Sequence, residues 1–390
     1  MKNRKLLRPV LCLLLALLAG CGPSREEPMG PEAESRALLS SGDLRGADLR
    51  ELDLTGLEEA AYRWDFDTRT LWPEELPEGF DPARLLELGK DPGLGLRALH
   101  GRGITGRGVG IAIIDQALPA DHQEYGDRLR FYQEYHTAAQ GPASAQGPAS
   151  AHGPAVASIA LGKTVGVAPE ALLYFLADDL GTGEGAAFSR DLSWYAEDVD
   201  RLTALNETLP EGERIRVISM SVGWMPGDPG AEALEAAIAR ARAAGIAVVC
   251  VNSRDPLLEP WMGMGRRPYG DPNRLEDCLP GAFWEESLYS GEYRGTDGSL
   301  LLVPMDGRTA ASPAGGAEYA YFAGGGMSWA APYVAGLYAL ACQVKPEVTF
   351  EEFLAAARST ARPVSVWRDG VEYPYGKAVD PAALLEALGA

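Results

Sequence analysis

Cysteine and histidine are scarce in this chain. Of five cysteines in 390 residues, Cys12 and Cys21 fall in or just after a leucine-rich leader. Cys250, Cys278 and Cys342 remain, an odd number once Cys21 is set aside, and Cys250 and Cys342 lie in apolar segments expected to be buried. That pattern favours free thiols over a disulfide framework. Basic residues are also short, 35 against 55 acidic, for a formal charge of −20. Such a balance argues against nucleic acid and against charge-driven binding to anionic lipid, while saying little about fold. Beyond the leader no apolar run reads as membrane-spanning, since the best candidate, around Ser328, is interrupted by proline and glycine. Only four histidines are present, His100, His122, His136 and His152. Any chemistry that needs an imidazole has four places to look.

The leader sets the compartment. Lys2, Arg4, Lys5 and Arg8 precede a leucine-rich core that ends in LAGC at Leu18–Cys21. A basic start, a short apolar run and small residues before the cut mark a secretory signal over residues 1–20. Cys21 resembles the acylated cysteine of bacterial lipoproteins, which implies an extracytoplasmic protein held on the cell membrane by lipid. An uncleaved anchor is the alternative and also places the protein outside. Without the four basic residues of the signal, 31 basic residues face 55 acidic ones, or −24.

The most informative motif is GGGMSWAAPYVAG, Gly324–Gly336. It sets Ser328 at a glycine-rich turn where an apolar helix begins, beside backbone N–H groups that lack intrahelical partners and can stabilise negative charge. Pro332 has no N–H to return to the Ser328 carbonyl, which suits a helix start better than an interior turn. A buried helix with a serine N-cap is the plain alternative. A nucleophilic serine needs a base and a group that orients the base. All four histidines precede Ser328 and Ala330 replaces the second glycine of G-x-S-x-G, which excludes the α/β-hydrolase arrangement. His152 has the best context. HGPAVASIALG predicts a short apolar helix starting at the histidine, followed by GVAPEALLYFLAD, a turn and a buried strand. His100, His122 and His136 read as ordinary loop or surface histidines, and Asp121, His122 and Glu124 lack the spacing of a metal site. Asp115 ends the apolar strand GVGIAIID, where open α/β sheets place their sites. An aspartate capping the next loop is the alternative there.

With aspartate, histidine and serine in that chain order, the sequence resembles the subtilisin-like serine proteases, the subtilase family, from about Leu96 to the C-terminus. IAIID, HGPAVASIALG with GVAPEA, VISMSVG and GGMSWAAPYVAG carry the likeness. It implies an α/β fold with a mostly parallel central sheet of seven or so strands and helices on both faces, and peptide-bond hydrolysis through an acyl-enzyme. The catalytic residues carry over to Asp115, His152 and Ser328. Asn252, closing ARARAAGIAVVCVNS, falls at the oxyanion asparagine, and Ser221, Val222 and Gly223 at the strand that pairs with an extended peptide. An asparagine in a strand-to-loop turn is the alternative reading of Asn252. Calcium is common in the family, but no ligands for it can be placed here and no cofactor is assigned.

Departures are plain. Gln116 and Ala117 follow Asp115, Ala155 and Tyr333 replace histidines, and Val251 and Ser253 flank Asn252. None removes a group that performs chemistry. Trp224 either walls a side-chain pocket or is a half-exposed aromatic. The insertion Arg254–Ser299, with Trp261, Tyr269, Trp284 and Tyr289, is expected to carry specificity. Residues 21–93 form a tether and N-terminal segment, and residues 94–390 the peptidase domain. Within the segment, GDLRGADLRELDLTG at Gly42–Gly56 repeats leucine every five residues, like pentapeptide-repeat turns. Three units cannot bury a solenoid core, so they should cap something larger. The segment is either an inhibitory propeptide or a permanent part. The repeat QGPASAQGPASAHGPAVA reads as a surface excursion.

The sequence therefore predicts a lipid-anchored extracytoplasmic serine endopeptidase, expected to be a monomer, that acts on peptides or proteins and processes exported or modified peptides. An inactive subtilase-like binding or scaffold lipoprotein is the alternative.

Overall fold

The computed structural model describes residues 31–137, 151–182, 188–251, 261–293 and 299–390. Residues 1–20 (the expected signal), Cys21, the alanine- and proline-rich repeat before Ala151, and Asn252 lie outside them.

The central sheet grows from strands that are apolar on both faces. β2 (Gly110–Asp115) is buried at every position, and β4 (Leu172–Ala177) at all but its first. Near-continuous burial is what a parallel strand covered on both sides requires. They are joined by β3 (Leu129–Glu134), β7 (Ile215–Met220) and β8 (Ala247–Val249) in the order β3-β4-β2-β7-β8, with every pairing parallel. Helices flank the sheet. The histidine helix (His152–Leu161) packs on the serine helix (Met327–Val344), while helix Leu192–Thr208 packs on helix Ala231–Ala243. After β4 the chain crosses to the other side of β2, a reversal that opens a crevice at the carboxyl ends of the strands.

The family likeness implies seven or so strands in one sheet, whereas the described residues place five there. β8 ends after three residues, and later strands join a second sheet instead. In it β9 (Trp261–Arg266), β11 (Leu301–Pro304) and β15 (Val371–Ala378) run parallel, and β10 (Cys278–Pro280) and β14 (Arg362–Arg368) add antiparallel edges. A short antiparallel pair, β5 (Gly181–Thr182) with β6 (Ser189–Arg190), stands beyond β4.

The N-terminal segment docks on a hairpin. β1 (Phe66–Asp67) adds an antiparallel strand to β13 (Tyr319–Phe322), which pairs with β12 (Arg308–Ala311). Leu44, Leu49 and Leu54, five residues apart, have no exposure and share a core with Trp64, Phe66, Phe80, Leu85 and Tyr321. Cys250, Cys278 and Cys342 are buried thiols. Among the described residues no helix is long and apolar enough to cross a membrane.

Candidate active site

Three local structures converge at the carboxyl end of the central sheet. β2 delivers Asp115, which is 4% exposed. The histidine helix begins at His152, and its ring Nδ1 lies 2.6 Å from Asp115 Oδ1. That oxygen also accepts the Gln116 backbone N–H at 2.9 Å. Gly153 makes the approach possible, because a side-chain carbon there would overlap the Gln116 carbonyl oxygen. Burial pushes the His152 pKa down, but the Asp115 charge and its hydrogen bond act the other way and outweigh it. The imidazole therefore sits above the ordinary histidine value.

Ser328 is the second residue of its helix, which follows Gly326 at a φ of 63°. The turn before it is pinned. Asp306 accepts the Gly325 N–H through one oxygen and the Ala282 N–H through the other, both at 2.8 Å. Burial raises the Asp306 pKa to about 6 even so. Within the helix Pro332 donates nothing to the Ser328 carbonyl, and the Ser221 hydroxyl donates to it instead, at 2.8 Å. His152 and Ser328 open together onto one cleft of about 220 Å³, with the Trp329 ring edge-on to the imidazole at 5.2 Å between centroids. A buried carboxylate, an imidazole oriented through Nδ1 and a hydroxyl at a helix start are the parts that activate a serine.

Residues 106–276 match the subtilase family. The chain is subtilase-like. Two solved structures share its fold. The prenylagaramide maturation protease PagA is 18% identical with a TM-score of 0.50, over 75% of this chain and 98% of that one. The PatG macrocyclase domain is 16% identical with a TM-score of 0.50, over 76% of this chain and 95% of that one. At these identities the likeness concerns the fold. No curated protein matches the chain. The family match takes in Asp115 and His152 and ends before Ser328.

The other expected site residues in this subtilase-like chain are placed unevenly. Asn252 lies outside the described residues. At the end of β7 the Ser221 side chain serves the serine helix, as above. The Val222 carbonyl accepts the Val251 N–H at 3.0 Å, and the Gly223 carbonyl accepts Arg190 Nη1 at 2.8 Å. Two carbonyls of the expected peptide-pairing strand are thus already bonded within the protein.

Several expectations need correction. Trp224 is not a half-exposed aromatic, since it is 6% exposed and its Nε1–H donates to Glu235. His122 is not a surface residue. It has no exposure, donates from Nε2 to the Glu318 carbonyl and stacks on Tyr125. Glu124 beside it is spent on Thr164, Val165 and Tyr319. His136 places Nδ1 2.9 Å from Asp178 and stacks on Trp194. The insertion aromatics do not reach the cleft among the described residues. Trp261 stacks on Phe353, Trp284 on Tyr293, Tyr289 packs edge-on to Tyr373, and Tyr269 meets Tyr62 of the N-terminal segment. Three lining residues, Arg45, Asp65 and Phe322, are not marked as site residues by the sequence. Arg45 and Asp65 line the cleft from the N-terminal segment, and no local pattern marks them.

Proposed function

We propose that the chain is a serine peptidase that cleaves peptide bonds through an acyl-enzyme on Ser328, with His152 as base and Asp115 orienting it. Ser328 Oγ attacks the carbonyl carbon as His152 Nε2 takes the hydroxyl proton. Asp115 accepts the Nδ1–H, fixing the tautomer and stabilising the imidazolium. The Ser328 N–H, at the positive end of its helix, faces the developing oxyanion. The family resemblance adds the Asn252 amide there, a donor whose loss costs about 3 kcal/mol, a magnitude taken from subtilisin itself. His152 then returns the proton to the leaving amine, and water releases the acyl group.

The observation that carries this reading is the 2.6 Å contact between His152 and Asp115 in the cleft that Ser328 shares. One of the two fold neighbours is described as a maturation protease and the other as a macrocyclase domain. We take hydrolysis as the reaction here, performed outside the cell by a protein anchored through Cys21.

The test is turnover of a quenched fluorescent casein by the purified chain and by Ser328→Ala. The reading expects hydrolysis that falls by about 10⁶-fold in the variant. Equal turnover in the two would remove Ser328 from the reaction.

A further inference from the structure

One wall of the cleft comes from far away in the sequence. Arg45 and Asp65 stand there beside Ala151, Phe322 and Gly324. Their position follows from how the N-terminal segment is built in. β1 pairs with β13, Phe66 stacks on Tyr321 at 5.0 Å, and Asp65 Oδ1 accepts the Ala323 N–H at 2.8 Å. β13 runs directly into the glycine turn that carries Ser328. Loss of the segment would uncover Tyr321, now 5% exposed, and dissolve the core around Trp64 and Leu49. A segment integrated in this way shapes the cleft continuously.

The two charged groups differ in what they have left to offer. Arg45 donates from Nε and Nη2 to the two oxygens of Asp43, at 2.8 and 2.7 Å, and its guanidinium lies 5.4 Å from the Phe322 ring centre. Asp65 accepts one backbone N–H, and among the described residues no cation donates a hydrogen bond to it. Burial raises its pKa to about 7. With Asp43 and Asp67 close by, Arg45 is outnumbered and the wall is acidic. An incoming cation would repay part of the Asp65 desolvation, whereas an incoming carboxylate would add to it.

The chemistry says which part of a substrate meets this wall. The leaving amine takes its proton from His152, so the peptide that follows the cleaved bond passes on the imidazole's side, next to Ala151. Ser221–Gly223 do not line this wall.

Resting on the reading of Ser328 as nucleophile, we propose that residues 42–80 are a resident wall of the cleft and that Asp65 takes a lysine or arginine side chain from the departing peptide.

The full mature protein, Asp65→Asn and Arg45→Met would each be incubated with a mixed peptide library and the products sequenced by mass spectrometry. Asparagine keeps an oxygen for the Ala323 N–H and loses the charge. Methionine removes the neighbouring cation. The expected result, read well above pH 7 so that Asp65 is ionised in both proteins that keep it, is a severalfold enrichment of Lys and Arg in the first three positions after the cut, lost in Asp65→Asn and increased in Arg45→Met. No enrichment in the native protein, or the same enrichment in all three, overturns the subsite. Each preparation is also labelled with a fluorophosphonate probe and weighed intact. A labelled species that has lost residues 42–80 overturns the resident wall. Labelling without basic preference sinks the subsite alone, and absence of labelling sinks the serine-peptidase reading together with it.

Discussion

At the residue scale the proposed chemistry depends on how His152 is held. Its raised pKa has a definite sign in the pH profile. The base acts only when neutral, so activity is full above the raised value and is lost as pH falls through it, with the acid limb above the ordinary histidine value of 6.5. Asp115→Asn removes the charge that raises it and leaves burial, which lowers it. The variant should lose about 10⁴-fold in kcat, and its acid limb should move to lower pH. A pH-rate series on both proteins checks this, and an unmoved limb would detach Asp115 from the base. Ser221, expected to pair with a peptide through its backbone, also has a side-chain role in the structure. Its hydroxyl fills the bond that Pro332 leaves open, so Ser221→Ala should cost about 1–3 kcal/mol by stranding the Ser328 carbonyl. Thermal unfolding reads that loss directly. The pairing was not legible in the sequence, because its partners lie 107 residues apart and each motif is complete without the other.

At the scale of elements, the sequence was most legible where one short motif contains a whole reason. The apolar run before Asp115 is a strand buried at every position, and Pro154 stands in the first turn of a helix that starts at His152. ARARAAG ends a helix that stops at Ala243, with Gly245 at a φ of 81° before β8. The insertion was less legible. Aromatic residues in a long segment between site motifs resemble a specificity loop, but Trp261 stacks on Phe353 of the helix Phe350–Thr360, Trp284 stacks on Tyr293, and both are 6% exposed. Burying such rings is worth more than displaying them. The leucine period at Gly42–Gly56 was readable as an apolar face, and its partner was not, since β1 joins β13 across more than 250 residues. Leu49→Ala should therefore destabilise the chain by about 2–5 kcal/mol. Chemical denaturation of the variant would show this as a lower midpoint with the slope retained. A neutral result would mean that the segment is not part of the core.

At the scale of the whole molecule, the proposal is an acidic enzyme tethered by lipid, with its cleft at the carboxyl end of the parallel sheet and an N-terminal segment closing one side. The tether has its own test. Cys21→Ser should move the protein from the membrane fraction to the soluble extracytoplasmic fraction, and retention on the membrane would point to the uncleaved leader as anchor. The motifs of Asp115, His152 and Ser328 were visible because each is local and their order is distinctive. Arg45 and Asp65 were hidden because only docking brings them to the cleft. Every step of the proposed chemistry needs Ser328 as an activated nucleophile. The most direct measurement is labelling of the folded mature protein with a fluorophosphonate, followed by mass mapping of the modified residue. The account predicts one adduct, on Ser328, abolished in His152→Ala. A folded protein that takes no label, or takes it at another serine, would contradict it.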